Sequence, residues 1–127
     1  MTLADLRRFR LVYLATPYTN YLRGTHVAFM DAAKLAGALI KAGVPVYSPI
    51  VHSHPISCHG GIDPFDHELW MDVDQTMISL ADALAVGRLE GWEHLGGIAE
   101  ELLRFTCAGK PIFHVDPFML TVTAEER

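Results

Sequence analysis

Apolar residues fall into short unbroken runs, separated by longer stretches where they recur every three or four positions, and this alternation predicts strands and helices in turn. Leu11-Val12-Tyr13-Leu14-Ala15 is such a run, closed by Thr16-Pro17-Tyr18-Thr19-Asn20, and reads as a buried strand with a turn. From Thr25 to Ala42 the residues Phe29, Ala32, Ala33, Ala36, Leu39 and Ile40 follow the helical period, and Gly43 supplies the stop. Val44-Pro45-Val46-Tyr47 predicts a second strand. The next stretch, Ser48 to Pro64, is rich in His, Ser, Pro and Gly and is expected to be a long loop. A helix over Phe65 to Leu80, a strand over Asp82 to Val86, a loop from Gly87 to Leu95, a helix from Gly96 to Gly109 and a strand over Pro111 to Val115 complete the pattern. The tail from Asp116 shows no clear periodicity.

Strands alternating with helices indicate βαβ units, and continuous apolar strands indicate a parallel sheet covered on both faces. The expected fold is a small doubly wound three-layer α/β sandwich, flavodoxin-like or Rossmann-like, with a parallel sheet of four or five strands in a single domain over 1–127. Ligands of such sheets bind beyond the carboxyl ends of the strands. Those ends are Thr16-Pro17-Tyr18, Ser48-Pro49, Gly87-Arg88 and the loop before Gly96.

Two acids break the amphipathic pattern. At about 100° per residue, Glu101 falls beside Ile98, Leu102 and Phe105 while Glu100 points outward. Asp74 falls among Trp70, Met77, Ile78 and Ala81, with Asp72 on the opposite side. An unpaired buried carboxylate costs several kcal/mol or takes up a proton, so such positions persist where a partner or a function offsets the cost.

Composition narrows the classes of partner. The 127 residues, half of them hydrophobic, carry a net charge of -5 with only ten scattered Lys and Arg, which argues against a nucleic-acid groove or an anionic membrane surface. Two cysteines, Cys58 and Cys107, are too few for a disulfide framework, and no leader precedes the first strand. A soluble, cytoplasmic protein is expected, with Cys107 buried on the back of its helix. His52, His54 and His59 with Cys58 lie close in sequence and raise the possibility of zinc, but no Cys-x-x-Cys or His-Glu-x-x-His frame accompanies them. Neither a metal nor a cofactor is therefore expected. Trp92 either stacks on a ligand or closes its loop over the helix, and His114 reads as a satisfied core residue.

Three segments carry a family resemblance. Val12-Tyr13-Leu14-Ala15-Thr16-Pro17-Tyr18, Asp74 shortly before Ala81-Asp82, and Gly97-Ile98-Ala99-Glu100-Glu101 resemble the nucleoside 2-deoxyribosyltransferase superfamily, which includes deoxynucleoside 5'-monophosphate N-glycosidases. The nearest look is to a branch of small bacterial and phage proteins with a Tyr-Leu-Ala-x-Pro-Tyr start and a Ser-Pro-x-x-x-x-His-Pro segment, here Ser48 to Pro55. The resemblance implies that Glu101 is a nucleophile forming a covalent glycosyl intermediate, that Asp74 positions substrate, and that Tyr13 orients Glu101. Substrate contacts are expected from Thr16, Pro17, Tyr18, Ser48, His52, His54 and Trp92. Gly96 and Gly97 would offer free backbone N–H groups at a helix start. The implied ligand is a nucleoside or nucleotide, and the implied assembly a homo-oligomer. Where the nucleotide hydrolases carry a phosphate-contacting serine this chain has Leu95, and it lacks their glycine-rich loop after the first strand, so a 5'-phosphate is less firmly implied than N-glycosidic chemistry. A non-catalytic nucleotide-binding module on the same fold is the competing expectation.

Overall fold

The computed structural model describes residues 1–94 and 98–126. Its elements in order are a 3₁₀ helix over Leu3–Arg8, β1 (Val12–Ala15), α1 (Thr25–Lys41), β2 (Val46–Tyr47), α2 (Pro49–Gly60), α3 (His67–Leu80), β3 (Ala83–Gly87), α4 (Ala99–Cys107), β4 (Ile112–Val115) and β5 (Val122–Ala124). The strands form one sheet in the order β2-β1-β3-β4-β5. The first four run parallel, and β5 pairs antiparallel with β4. The α/β sandwich expected from the sequence is what forms.

Alternation along β1 sorts its side chains to two faces. Val12 and Leu14 join Leu35, Leu39, Phe113 and Val115 in one core, which the 3₁₀ helix residues Leu3 and Leu6 complete. Tyr13 and Ala15 join Leu84, Val86 and Ile112 in the other, against Ile78 of α3 and Phe105 of α4. Both acids therefore ride on helices of the second face. Connection of β2 to β3 passes over β1, so the strand order reverses between β1 and β3, and that is the position where doubly wound sheets open a crevice.

Three expectations fail here. Most of the predicted loop from Ser48 to Pro64 is helix α2: the Ser48 hydroxyl caps it by accepting from Val51 N at 3.3 Å, Pro49 fits its first turn, and Gly61 ends it with φ 70°. The tail is not patternless either, because β5 pairs with β4 and Val122 enters the first core. Cys107 is exposed rather than buried. Among the described residues no helix is long and apolar enough to cross a membrane.

Candidate active site

Glu101 lies in the first turn of α4, partly buried, and Asp74 halfway along α3, also partly buried. Burial pushes the Glu101 carboxyl up to about 7, and the neighbouring charges of Asp74 and Glu100 add to the effect. Burial likewise pushes Asp74 up to about 6, against the opposing pull of Tyr47 and His67. Tyr13 is fully buried, its ring 5.7 Å from Tyr47 and 5.6 Å from Phe105. Its hydroxyl has no hydrogen-bond partner among the described residues, and burial first, then Glu101 and Asp74, drive its pKa far upward. Burial raises Tyr47 too, with Asp74 next in weight. The Tyr47 hydroxyl also lies 3.4 Å from His52 Nδ1, a long contact.

Glu100 occupies the outer side of the same turn. It accepts from Arg104 at 3.0 Å and lies 3.2 Å from His67 Nε2. Arg104 thus pairs with Glu100, four residues before it, which leaves Glu101 without an ion-pair partner among the described residues. Two neighbouring carboxylates are therefore in opposite states, one paired at the rim and one held inside. This arrangement suits proton transfer and nucleophilic attack near neutrality, because carboxyls whose environments raise them toward 7 can act as both acid and base.

The other expected contacts divide. His54 is buried at the α1–α2 contact, with Nδ1 2.8 Å from the Tyr18 hydroxyl, Phe29 stacked at 4.8 Å, and Nε2 3.4 Å from His26 and 3.7 Å from Cys58. It and Tyr18 form a separate cluster. Helix α2 sends His52 toward Tyr47 and His54 toward Tyr18, and among the described residues no group of three or more His, Cys, Asp or Glu is placed to hold a metal ion. Ser48 spends its side chain on the α2 cap. Trp92 closes its loop: its indole meets His114 edge-on at 5.3 Å and carries Arg88 at 4.7 Å. His114 is satisfied, accepting from Arg88 at 3.1 Å and facing Glu125 at 3.0 Å. Thr16 and Pro17 are buried at the end of β1, the Thr16 hydroxyl without a partner among the described residues. Gly96 and Gly97, with Leu95, lie outside the described residues.

Sequence reasoning missed Tyr47 and His67. Each had a signal: Tyr47 ends the second strand, where ligands of such sheets bind, and His67 precedes Asp74 by two helical turns on one face.

Residues 10–116 match the model of the family described as Domain of unknown function (DUF1937). The chain belongs to that family. The match takes in all four parallel strands and both raised acids and stops before β5. No curated protein matches the chain.

Proposed function

We propose that the chain cleaves the N-glycosidic bond of a nucleoside or nucleoside 5'-monophosphate, by hydrolysis or by transfer to a second base. The observation that carries this reading is the juxtaposition of two partly buried carboxyls, raised to about 6 and about 7, with the unpartnered hydroxyl of Tyr13. The resemblance of the segments around Tyr13, Asp74 and Glu101 to the deoxyribosyltransferase superfamily supplies the substrate class.

In this mechanism the Glu101 carboxylate attacks C1' while the bond from C1' to the base nitrogen breaks, and the base leaves with the bonding electron pair. Asp74 gives the base a proton, the reacting form being the minor one of the singly protonated pair, in which the proton sits on Asp74 and Glu101 is ionised. The resulting glycosyl ester of Glu101 is then attacked at C1' by water or by a second base, which releases the carboxylate, as in retaining glycoside hydrolysis. The Tyr13 hydroxyl, without a partner among the described residues, is free to turn toward the attacking oxygen once substrate is bound.

The productive state of the pair carries one proton. Below about 6 both carboxyls are protonated and no nucleophile is available; between about 6 and about 7 one proton remains, mostly on Glu101, and the fraction of molecules with it on Asp74 reacts; above about 7 that proton is lost and no acid remains. Release of free base from a panel of nucleosides and monophosphates, with and without an acceptor base, is expected to peak between these values. The kcat/KM should fall about tenfold per pH unit on either side. A rate still climbing at pH 8.5 removes Asp74 from the acid role, and no release from any substrate, or release indifferent to Glu101→Ala, removes the proposal itself. A binding module would instead hold nucleotide equally well with Glu101→Gln and show no turnover.

Tyr13→Phe separates a working hydroxyl from a core aromatic. Deleting a buried hydroxyl with no partner is expected to leave the urea midpoint unchanged or to raise stability by up to about 1 kcal/mol. Turnover should nonetheless fall about tenfold, because Glu101 loses its orienting neighbour. Unchanged turnover would make Tyr13 a packing residue only.

A further inference from the structure

Helix α3 is apolar over more of its circumference than the fold covers. At about 100° per residue its apolar arc runs from Leu69 through Val73, Met77 and Trp70 to Ile78 and Met71, about 200° in all and about twice the stripe that a helix packed on one side requires. Only Ile78 is buried, and Trp70, Met71 and Met77 are half-buried. The outer part of the arc faces solvent: Leu69 is 45% exposed, Val73 37% and Leu80 60%. Leu69, Val73 and Leu80 recur at the helical spacing by which anchors are presented to a second helix. The charge beside them is of one sign. No Lys or Arg occurs between Lys41 and Arg88. Within that span Asp63, Asp66, Glu68 and Asp72 are exposed, at the head of α3 and along its polar side. Cations that approach α3 from other elements are already engaged. Lys110 donates to the Ile78 and Ser79 carbonyls, Arg10 pairs with Asp82, and Arg104 pairs with Glu100, which also meets His67 of α3.

These charges choose the occupant. A second copy of the chain, packed on the stripe about a two-fold axis near Val73 at its middle, would set Asp72 against its own copy, and like charges across an interface repel. A basic helix meets the same acids with opposite charge. We propose that α3 is a docking surface for an amphipathic basic helix of a partner protein, whose apolar face covers Leu69, Val73 and Leu80 and whose Lys or Arg side chains reach Glu68 and Asp72. Apolar anchors supply the affinity of such a contact, and the flanking charges supply its register and its choice of partner. The surface does not depend on the glycosidase reading, since neither Tyr13 nor Glu101 takes part in it.

The probe is a fluorescein-labelled, amidated peptide of about 15 leucines and lysines with the leucines at helical spacing. It is titrated with the full chain and followed by anisotropy, with circular dichroism confirming the folding of each variant. Saturable binding with a Kd of roughly 10–100 µM is expected at low salt, weakening about tenfold in about 0.5 M NaCl. The double variant Leu69→Gln with Leu80→Gln, at two exposed positions, should weaken binding about tenfold by removing the outer anchors. Glu68→Lys with Asp72→Lys should weaken it at least as much, and neither carboxylate enters an ion pair among the described residues that the change would break. Leu103→Gln, 63% exposed on α4, should leave binding unchanged. So should Glu101→Gln, which keeps failure of this proposal separate from failure of the glycosidase reading. A peptide with glutamate in place of every lysine should not bind. Sedimentation equilibrium of the chain alone should give the same mass for the parent and for the Leu69→Gln, Leu80→Gln variant. An assembly lost in that variant would assign the stripe to a second copy and overturn the proposal. Equal binding of the acidic peptide, or a titration insensitive to both double variants, would overturn it as well.

Discussion

Glu101→Gln is expected to stabilise the folded chain at pH 8 and at the same time to abolish base release. In the unfolded chain the carboxyl titrates near 4.5, whereas burial in the fold raises it to about 7. The folded state therefore binds the proton more tightly than the unfolded one, and stability falls as pH rises through the interval between these values. The deficit is absent below about 4.5 and complete above about 7. At full weight that interval corresponds to roughly 3 kcal/mol, and the partial access of Glu101 to water brings the expected gain nearer 2 kcal/mol. A glutamine never ionises, so thermal melts of the two proteins should coincide at pH 4.5 and separate by about 5–10 °C at pH 8. Turnover should fall by about 10³ or more, because an amide oxygen cannot form the glycosyl ester. A variant less stable than the parent at pH 8 would mean that the carboxylate is paired in the fold, and the case for a held-back nucleophile would collapse with it.

That trade between stability and chemistry is also what made the site visible in sequence. Local patterns say where a side chain points, and an acid on the apolar face of α4 or α3 is a conflict between pattern and residue type that a structural role rarely needs. The same rules placed β1, α1, β3 and β4 to within a residue or two, because continuous apolar runs and helical periods leave little choice. They failed at α2 for an identifiable reason. Pro55 in its interior and the His, Ser and Gly around it argue locally for a loop, yet Ser48, Pro49 and Gly61 cap a helix whose buried residues Ile50 and His54 are held by packing. They failed at β5 because three residues joined to the sheet through β4 carry too short an alternation to read. Tyr47 and His67 left only weak signals, a strand end and a seven-residue spacing on α3, which many idle residues share; what sets Tyr47 apart is that the fold brings β2 beside Asp74.

Phe105→Ala is expected to be the most destabilising single change near the site. Helix α4 has nine described residues, too few to persist without tertiary packing, and only Ile98 at its cap and Phe105 near its end are fully enclosed. Those two residues flank Glu101 and hold its turn against the sheet. The Phe105 ring lies 5.6 Å from that of Tyr13, and Lys110 Nζ rests 5.7 Å from it while donating to the Ile78 and Ser79 carbonyls at the end of α3. One side chain thus ties α4 and the end of α3 to β1. Removing it leaves a cavity under all three and should cost about 3–5 kcal/mol, a large share of the 5–15 kcal/mol that holds a domain together. Urea unfolding measures the loss. Phe105→Leu keeps most of the volume and should cost about 1.5 kcal/mol or less, and Leu103→Ala, at a 63% exposed position on the same helix, should change little. The functional consequence follows from the same packing. Water admitted beside Glu101 by the alanine variant relieves the burial that raises its carboxyl, so the acid limb of the base-release profile should move down from its parent position toward pH 4.5. Loss of stability with an unmoved acid limb would show that Phe105 supports the helix without setting the chemistry of Glu101.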